Sequence, residues 1–315
     1  MKWRLCIGCI LLCFVAAQSF IIHPAHRVNY NSELPLTLSG LAIFHGRPAD
    51  LVPASGFIPY DLSTPLFSDY AEKQRFIQIP AGLTLRVTDS GLPEFPDGTL
   101  LVKTFYYYND SKDTSKGKRI IETRVLVKSG GLWKAGTYVW NGAQTEAVLA
   151  AGGSNTRINT LSYHIPSNKE CATCHNAGNV LMPIGFTLRN LTAAATRHLQ
   201  AASILPAVNP ASFTMLPDWQ NDAYTLEQRA RAYMDINCAH CHNPKGSCSA
   251  SDFHPAYELS LQESNILNKK KRIVRFMKRG RMPRLGTTIV HTEGLALIEA
   301  YINSLEPNTS KKTSF

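Results

Sequence analysis

The sequence predicts an α+β fold: a β-rich N-terminal domain over residues 37–152, followed by a mainly α-helical domain over residues 153–315. Three observations predict it. Residues 99–108 and 119–127 are runs of branched and aromatic side chains separated by a polar loop, which reads as a strand pair. Residues 137–140 (Thr-Tyr-Val-Trp) run into Asn141-Gly142, a hairpin-turn signal, and residues 144–149 return as its partner. Beyond Gly152-Gly153-Ser154, taken as the domain boundary, the apolar periodicity turns helical. With 315 residues, 44% of them hydrophobic and 18% charged, the chain can build packed cores and is no disordered spacer.

In chain order, Lys2 and Arg4 precede an apolar run from Leu5 to Ala17 that ends in small residues, the pattern of a secretory leader over residues 1–17, with a linker over 18–36. The run is too short to span a bilayer, no other stretch reaches the roughly 20 apolar residues a span needs, and Cys13 is badly placed for lipidation. Export to an oxidising compartment, the periplasm, is expected. The formal charge of +10 favours anionic partners. An exported chain makes nucleic acid a poor one.

Eight cysteines are too few for a disulfide scaffold, and three of them, Cys6, Cys9 and Cys13, fall in the leader. Of the other five, four form two copies of one pattern, Cys171-Ala-Thr-Cys174-His175 and Cys238-Ala-His-Cys241-His242. On a helical turn, residues three apart share a face, so both thiols can reach the two vinyl groups of one haem, and the next residue offers its imidazole to the iron. A zinc ribbon would place its second pair roughly 15–20 residues after the first, far closer than Cys238 is to Cys174, and needs no histidine after either pair. A thioredoxin-like disulfide would leave both histidines as coincidences. The second domain is therefore expected to be cytochrome c-like and to carry two covalent haems, with His175 and His242 as proximal ligands.

For the opposite iron faces a thioether is the usual partner in an electron carrier. Met282 opens Met-Pro-Arg-Leu-Gly, where Pro283 stiffens the loop and Gly286 permits close backbone approach, and it is the candidate for the second haem. Met215 lies at the same offset from His175 as Met282 does from His242 and is the candidate for the first haem. Met182, His164, His198 and an open iron are its alternatives. His240, between the second pair of cysteines, is expected to face outward, His291 to cap a helix, and Cys248 to be a small buried hydrophobe. His23, His26, His45 and His254 have no ligand spacing.

Two helices are legible. Thr225-x-x-Gln228 is a capping box for a helix running into the second motif, and Leu295, Ile298, Ile302 and Leu305 form the apolar stripe of a closing helix. Residues 269–284 contain nine basic and no acidic side chains, either a solvated helix face or a surface that steers an acidic redox partner.

The segments Pro59-Tyr-Asp-Leu-Ser-Thr-Pro-Leu-Phe-Ser-Asp-Tyr70, Gly98-Thr99 with Val102-Lys103, Glu122-Thr-Arg124 and Asn237-Cys-Ala-His-Cys-His-Asn243 resemble a family of exported bacterial two-haem c-type proteins, over roughly residues 37–305. The resemblance implies haem binding and electron transfer through both Cys-Cys-His sets and Met282, and no defined reaction. It departs from the family around Met182 and Met215. The function expected is single-electron transfer, to or from a periplasmic dehydrogenase or similar redox protein. A peroxidase-like haem enzyme with one open iron is the alternative, and a third reading makes the β-rich half a docking or ligand-recognition module.

Overall fold

The computed structural model of the protein describes residues 34–88, 91–208 and 212–306, and the leader expected over residues 1–17 lies outside them. Strands β1 (Ile58–Pro59) and β2 (Glu72–Gln78) are followed by a small ribbon, β3 (Arg86–Val87) with β4 (Pro93–Glu94). The long strands β5 (Leu100–Tyr108), β6 (Lys118–Ser129) and β7 (Leu132–Trp140), with the short β8 (Ala147–Leu149), complete one six-stranded antiparallel sheet in the order β1-β2-β5-β6-β7-β8. The strand pair and the hairpin expected from sequence are both present. The hairpin's return strand begins only at Ala147, because residues 141–146 form a longer loop in which Gln144, at φ 59°, takes the left-handed conformation rather than Gly142.

Alternation divides the sheet's two faces. One is apolar: Phe76, Leu100, Val102, Val125, Val127, Tyr138 and Trp140 pack beneath Leu38, Leu41, Ile43, Leu51 and Phe57 of the preceding segment. Each of these side chains contributes roughly 1.5–3 kcal/mol by leaving water. The other face is mixed. At one end Ile77 and Leu101 pack with Phe186, Leu188 and Leu191, and at the other Phe105 packs with Tyr163 and Ile165. Between these ends runs a polar strip, described below.

After the sheet come the hairpin β9 (Ser154–Ile158) and β10 (Leu161–Ile165), helix α1 (Asn168–Cys174), the two-residue strands β11 (Asn176–Ala177) and β12 (Val180–Leu181), and helices α2 (Ala193–Ala201), α3 (Leu226–Met234), α4 (Ile266–Lys278) and α5 (Thr292–Ser304). The mainly α-helical, cytochrome c-like second domain expected from sequence is not what the chain forms. The protein is strand-rich, dominated by the six-stranded sheet, and among the described residues its second half holds two further ribbons and five α-helices. Two causes are visible in the residues. Residues 161–165 (Leu-Ser-Tyr-His-Ile) bury Tyr163 and Ile165 on alternate positions, a strand period. Long stretches on either side of the second motif are rich in Pro, Asn, Asp, Ser and Gly, which interrupt helices.

The two expected helices are α3 and α5. The α3 capping box is complete, with Thr225 Oγ1 accepting from Gln228 N and the Gln228 side chain accepting from Thr225 N. Helices α3, α4 and α5 close a separate core around Tyr233, Met234, Ile266, Met277, Ile298 and Tyr301. Among the described residues, no helix is long and apolar enough to cross a membrane.

Residues 59–70 strap these parts together through buried polar groups. Ser63 N and Thr64 N donate to the Asn190 carbonyl and side chain, and Thr64 Oγ1 donates to the Pro217 carbonyl. Phe67 N donates to Asn237 Oδ1, just before the second motif, and Asp69 accepts from Thr288 and Ile289 beyond Met282. Thr64, Asp69, Asn190 and Asn237 are all buried, so each bond is made away from competing water.

Candidate functional site

The first Cys-x-x-Cys-His motif sits on α1 because Ser167 and Glu170 form a reciprocal capping box that starts a helix three residues before Cys171. Cys171 and Cys174 then share one helical face. His175 ends the helix, its N–H donating to the Cys171 carbonyl at 2.9 Å. His175 Nδ1 lies 2.8 Å from the Met182 carbonyl, which can only accept, so the ring proton is on Nδ1 and Nε2 keeps its lone pair for a metal. Burial, with the nearby charges of Lys103 and Arg124, pulls the His175 pKa down to about 4 against the opposing Met182 bond, so the ring is neutral at pH 7.

The second motif follows α3 through a π-helical turn, Asp235–Ala239. Its wider winding is a frequent mark of a functional segment. The turn is braced by Asp235, which accepts from Arg189 Nη2 at 2.8 and 2.5 Å, and by the Phe67–Asn237 bond. Cys241 N and His242 N both donate to the Cys238 carbonyl. The His242 ring lies 5.3 Å from that of Phe253, and its buried Nδ1 has no hydrogen-bond partner among the described residues. Burial lowers the His242 pKa as well.

The fold brings the two motifs into contact, which sequence spacing could not reveal. The ligand atoms of Cys174, His240 and Cys241 lie within 4.8 Å of one another, and Gly178 N donates to the Lys245 carbonyl beside them. A hydrogen bond shared between the two sulfurs raises the Cys174 thiol and lowers that of Cys241. His240 therefore faces the other motif instead of solvent. The five described cysteines are all free thiols, and Cys248 is half-buried.

The remaining candidates separate cleanly. Met282 is half-buried in the loop between α4 and α5, on the wall of a cleft of about 360 Å³ shared with Phe276, Gly280, Arg281 and Arg284. Met215 stands in the loop before α3 and is 37% exposed. Met182 presents its main-chain carbonyl to His175 Nδ1, on the other side of the ring from the Nε2 lone pair. His164 has both ring nitrogens engaged, Nδ1 with Asn155 and Nε2 with Glu170. His198 lies on α2. His291 holds the N-cap position of α5, as expected, but without a side-chain cap bond; its ring stacks on Phe67 at 4.0 Å and meets Tyr233 Oη at 3.0 Å. His254, without ligand spacing in the sequence, has a buried Nε2 with no hydrogen-bond partner among the described residues.

The residues present fit covalent haem. Each imidazole follows a pair of free thiols, and His175 has its Nδ1 anchored on Met182, whereas the corresponding Nδ1 of His242 is buried without a partner among the described residues. Comparison with protein-family models, with curated proteins and with solved structures gives no match.

Proposed function

We propose that the protein is an exported two-haem c-type electron-transfer protein of the family it resembles in sequence, exchanging single electrons with a redox protein such as a periplasmic dehydrogenase. The observation that carries this reading is the pair of Cys-x-x-Cys-His turns, with His175 held neutral and its Nδ1 anchored on Met182. Cys171, Cys174 and His175 would hold one haem and Cys238, Cys241 and His242 the other. Met282 is the distal candidate for the second haem and Met215 for the first. Bound iron porphyrin supplies a reversible ferric–ferrous couple. The chain's own work is to fix the His175 tautomer, to exclude water by burial, and to present charge to a partner.

That charge lies on α4 and the loop after it. Lys269, Lys270 and Lys278 pair with Asp252, Glu306 and Glu299, whereas among the described residues no ion pair engages Arg279, Arg281 or Arg284. These three flank Met282 and suit an acidic partner. Electron exchange with an acidic redox protein should slow steeply as salt is added; a flat salt profile counts against this face.

A second reading, a haem enzyme with one open iron, is favoured by the first site. The Met182 main chain lies on the Nδ1 side of His175 and Met215 is more than a third exposed, so neither is an evident buried sulfur for a metal held at His175 Nε2. The deciding experiment is the absorption spectrum with a peroxide-turnover assay on protein matured in a host that attaches haem. Two low-spin haems inert to peroxide support the carrier, and one high-spin haem with turnover supports the enzyme. Colourless protein carrying stoichiometric zinc would replace both readings with a soft-metal site at Cys174, His240 and Cys241.

A further inference from the structure

The polar strip on the second face of the sheet is a row of cations. The register sets Arg75 of β2 opposite Lys103 of β5, and Lys103 opposite Arg124 of β6, with Lys73 two residues along β2 on the same face. Like charges directly opposite across a ladder are destabilising, so three in line call for a counter-charge. The chain supplies little of it. Glu122 is engaged by Arg124 at 2.5 Å and by the Tyr163 hydroxyl at 2.6 Å. Asp61 stands 4.0 Å from Arg75 with its side chain 80% exposed, and Lys73 Nζ donates to the Ala71 carbonyl. Lys103 Nζ lies over the Phe105 ring, 4.9 Å from its centre, and among the described residues no carboxylate pairs with it.

The row leads to the first motif. Thr137 of β7 stands opposite Arg124 and continues the line, and its Oγ1 lies 3.9 Å from Cys171 Sγ. Helix α1 and strand β12 both pack on β7, and the charges of Lys103 and Arg124 act on His175. Burial and the flanking cations push the Lys103 pKa well down, a penalty that an anion beside it would relieve. The Arg75 guanidinium with the Lys103 ammonium beside it matches a carboxylate group, and Arg124, whose Nε and Nη2 are held by Glu122, bounds the row on the far side.

We propose that Arg75, Lys103 and Arg124 form a carboxylate-binding site, which takes the propionates of the porphyrin attached at Cys171 and Cys174. A free organic acid brought beside the same group has the same chemistry and is the other source. The inference rests on the haem reading of the first motif and adds the residues that would hold the polar edge of the group.

The test uses the full chain matured with haem, wild type and Lys103→Gln, in spectroelectrochemical titrations with and without added acetate. A haem-stained denaturing gel on the same preparations reports separately whether the haem reading stands. If propionates occupy the row, loss of Lys103 lowers the potential of one haem, with a tenfold change in its reduced-to-oxidised ratio at fixed potential, about 59 mV for a one-electron couple, and acetate moves neither protein. If the row takes a free acid, acetate shifts the wild type saturably and leaves the variant unmoved, which supports the site with the other source. Haem-loaded proteins with identical potentials and no response to acetate overturn the proposal. Should Lys103→Gln not fold, Lys103→Met, which keeps the apolar stem, undergoes the same titrations.

Discussion

Asp69 carries the connection between the strap at residues 59–70 and the loop that bears Met282, and removing its carboxylate should be felt at both ends. Its oxygens accept from Thr288 N at 2.8 and 2.9 Å, from Thr288 Oγ1 at 2.8 Å and from Ile289 N at 3.3 Å, and the residue is 2% exposed. Hydrogen bonds to a charged group contribute roughly 1.5–3 kcal/mol each, but Thr288 and Ile289 are exposed, so water replaces the longest bond, from Ile289 N, and the lower end applies to the two Thr288 donors. Asp69 also takes the left-handed conformation at φ 51°, which alanine adopts about 1 kcal/mol less readily than Asp or Asn. Asp69→Ala should therefore lose about 4 kcal/mol. Asp69→Asn, which keeps one acceptor oxygen and tolerates the backbone, should lose about 1–2 kcal/mol. Urea unfolding of the full chain measures both, with a lowered midpoint and an unchanged slope. Hydrogen exchange should show the Thr288 and Ile289 amides losing protection ahead of the sheet. An Asp69→Ala protein within about 1 kcal/mol of wild type, or with those amides still protected, would refute the reasoning.

Glu122→Gln should destabilise by about 3–5 kcal/mol in chemical denaturation, because the fully buried carboxylate is the counter-charge of Arg124 and the acceptor for Tyr163. Lys73 gives a pH signature: burial, then the charge of Arg75, depresses its folded pKa to about 7, so between 7 and its ordinary value of 10.5 the unfolded chain binds more protons. Stability should rise with pH across that window, by less than the full 1.4 kcal/mol per unit since the side chain is half-buried, and Lys73→Met should flatten that part of the profile and raise stability at pH 7. Gly294→Ala should lower the melting temperature, where alanine in a helix interior normally raises it: an added Cβ at Gly294 collides with the Tyr233 ring and hydroxyl, at an expense of about 1–3 kcal/mol.

What was legible in the sequence is what local chemistry determines. The β5–β6 pair and the β7–β8 hairpin announce themselves through branched residues and a turn pair, and α3 through a capping box whose two halves lie three residues apart. The hairpin β9–β10 was hidden because its alternating stretch is short and follows a Gly-Gly-Ser that reads as a boundary. The expectation of a mainly helical second half failed because the helical turn at each motif was extended to its surroundings, where turn-forming residues prevail. Both Cys-Cys-His sets were legible because their spacing is local. The contact of Cys174 with Cys241, the clamp of Asp69 on Thr288 and the alignment of Arg75, Lys103 and Arg124 were not, since each depends on strand register or on loops that meet only in the folded chain.

The most direct test of the central claim is the intact mass, with the reduced-minus-oxidised spectrum, of protein made in a host that attaches haem to Cys-x-x-Cys-His. The polypeptide should be heavier by two porphyrins and red in solution, with one porphyrin lost from Cys171→Ala/Cys174→Ala and the other from Cys238→Ala/Cys241→Ala. Colourless protein at the mass of its amino acids alone, from a host that matures a control cytochrome normally, would contradict it.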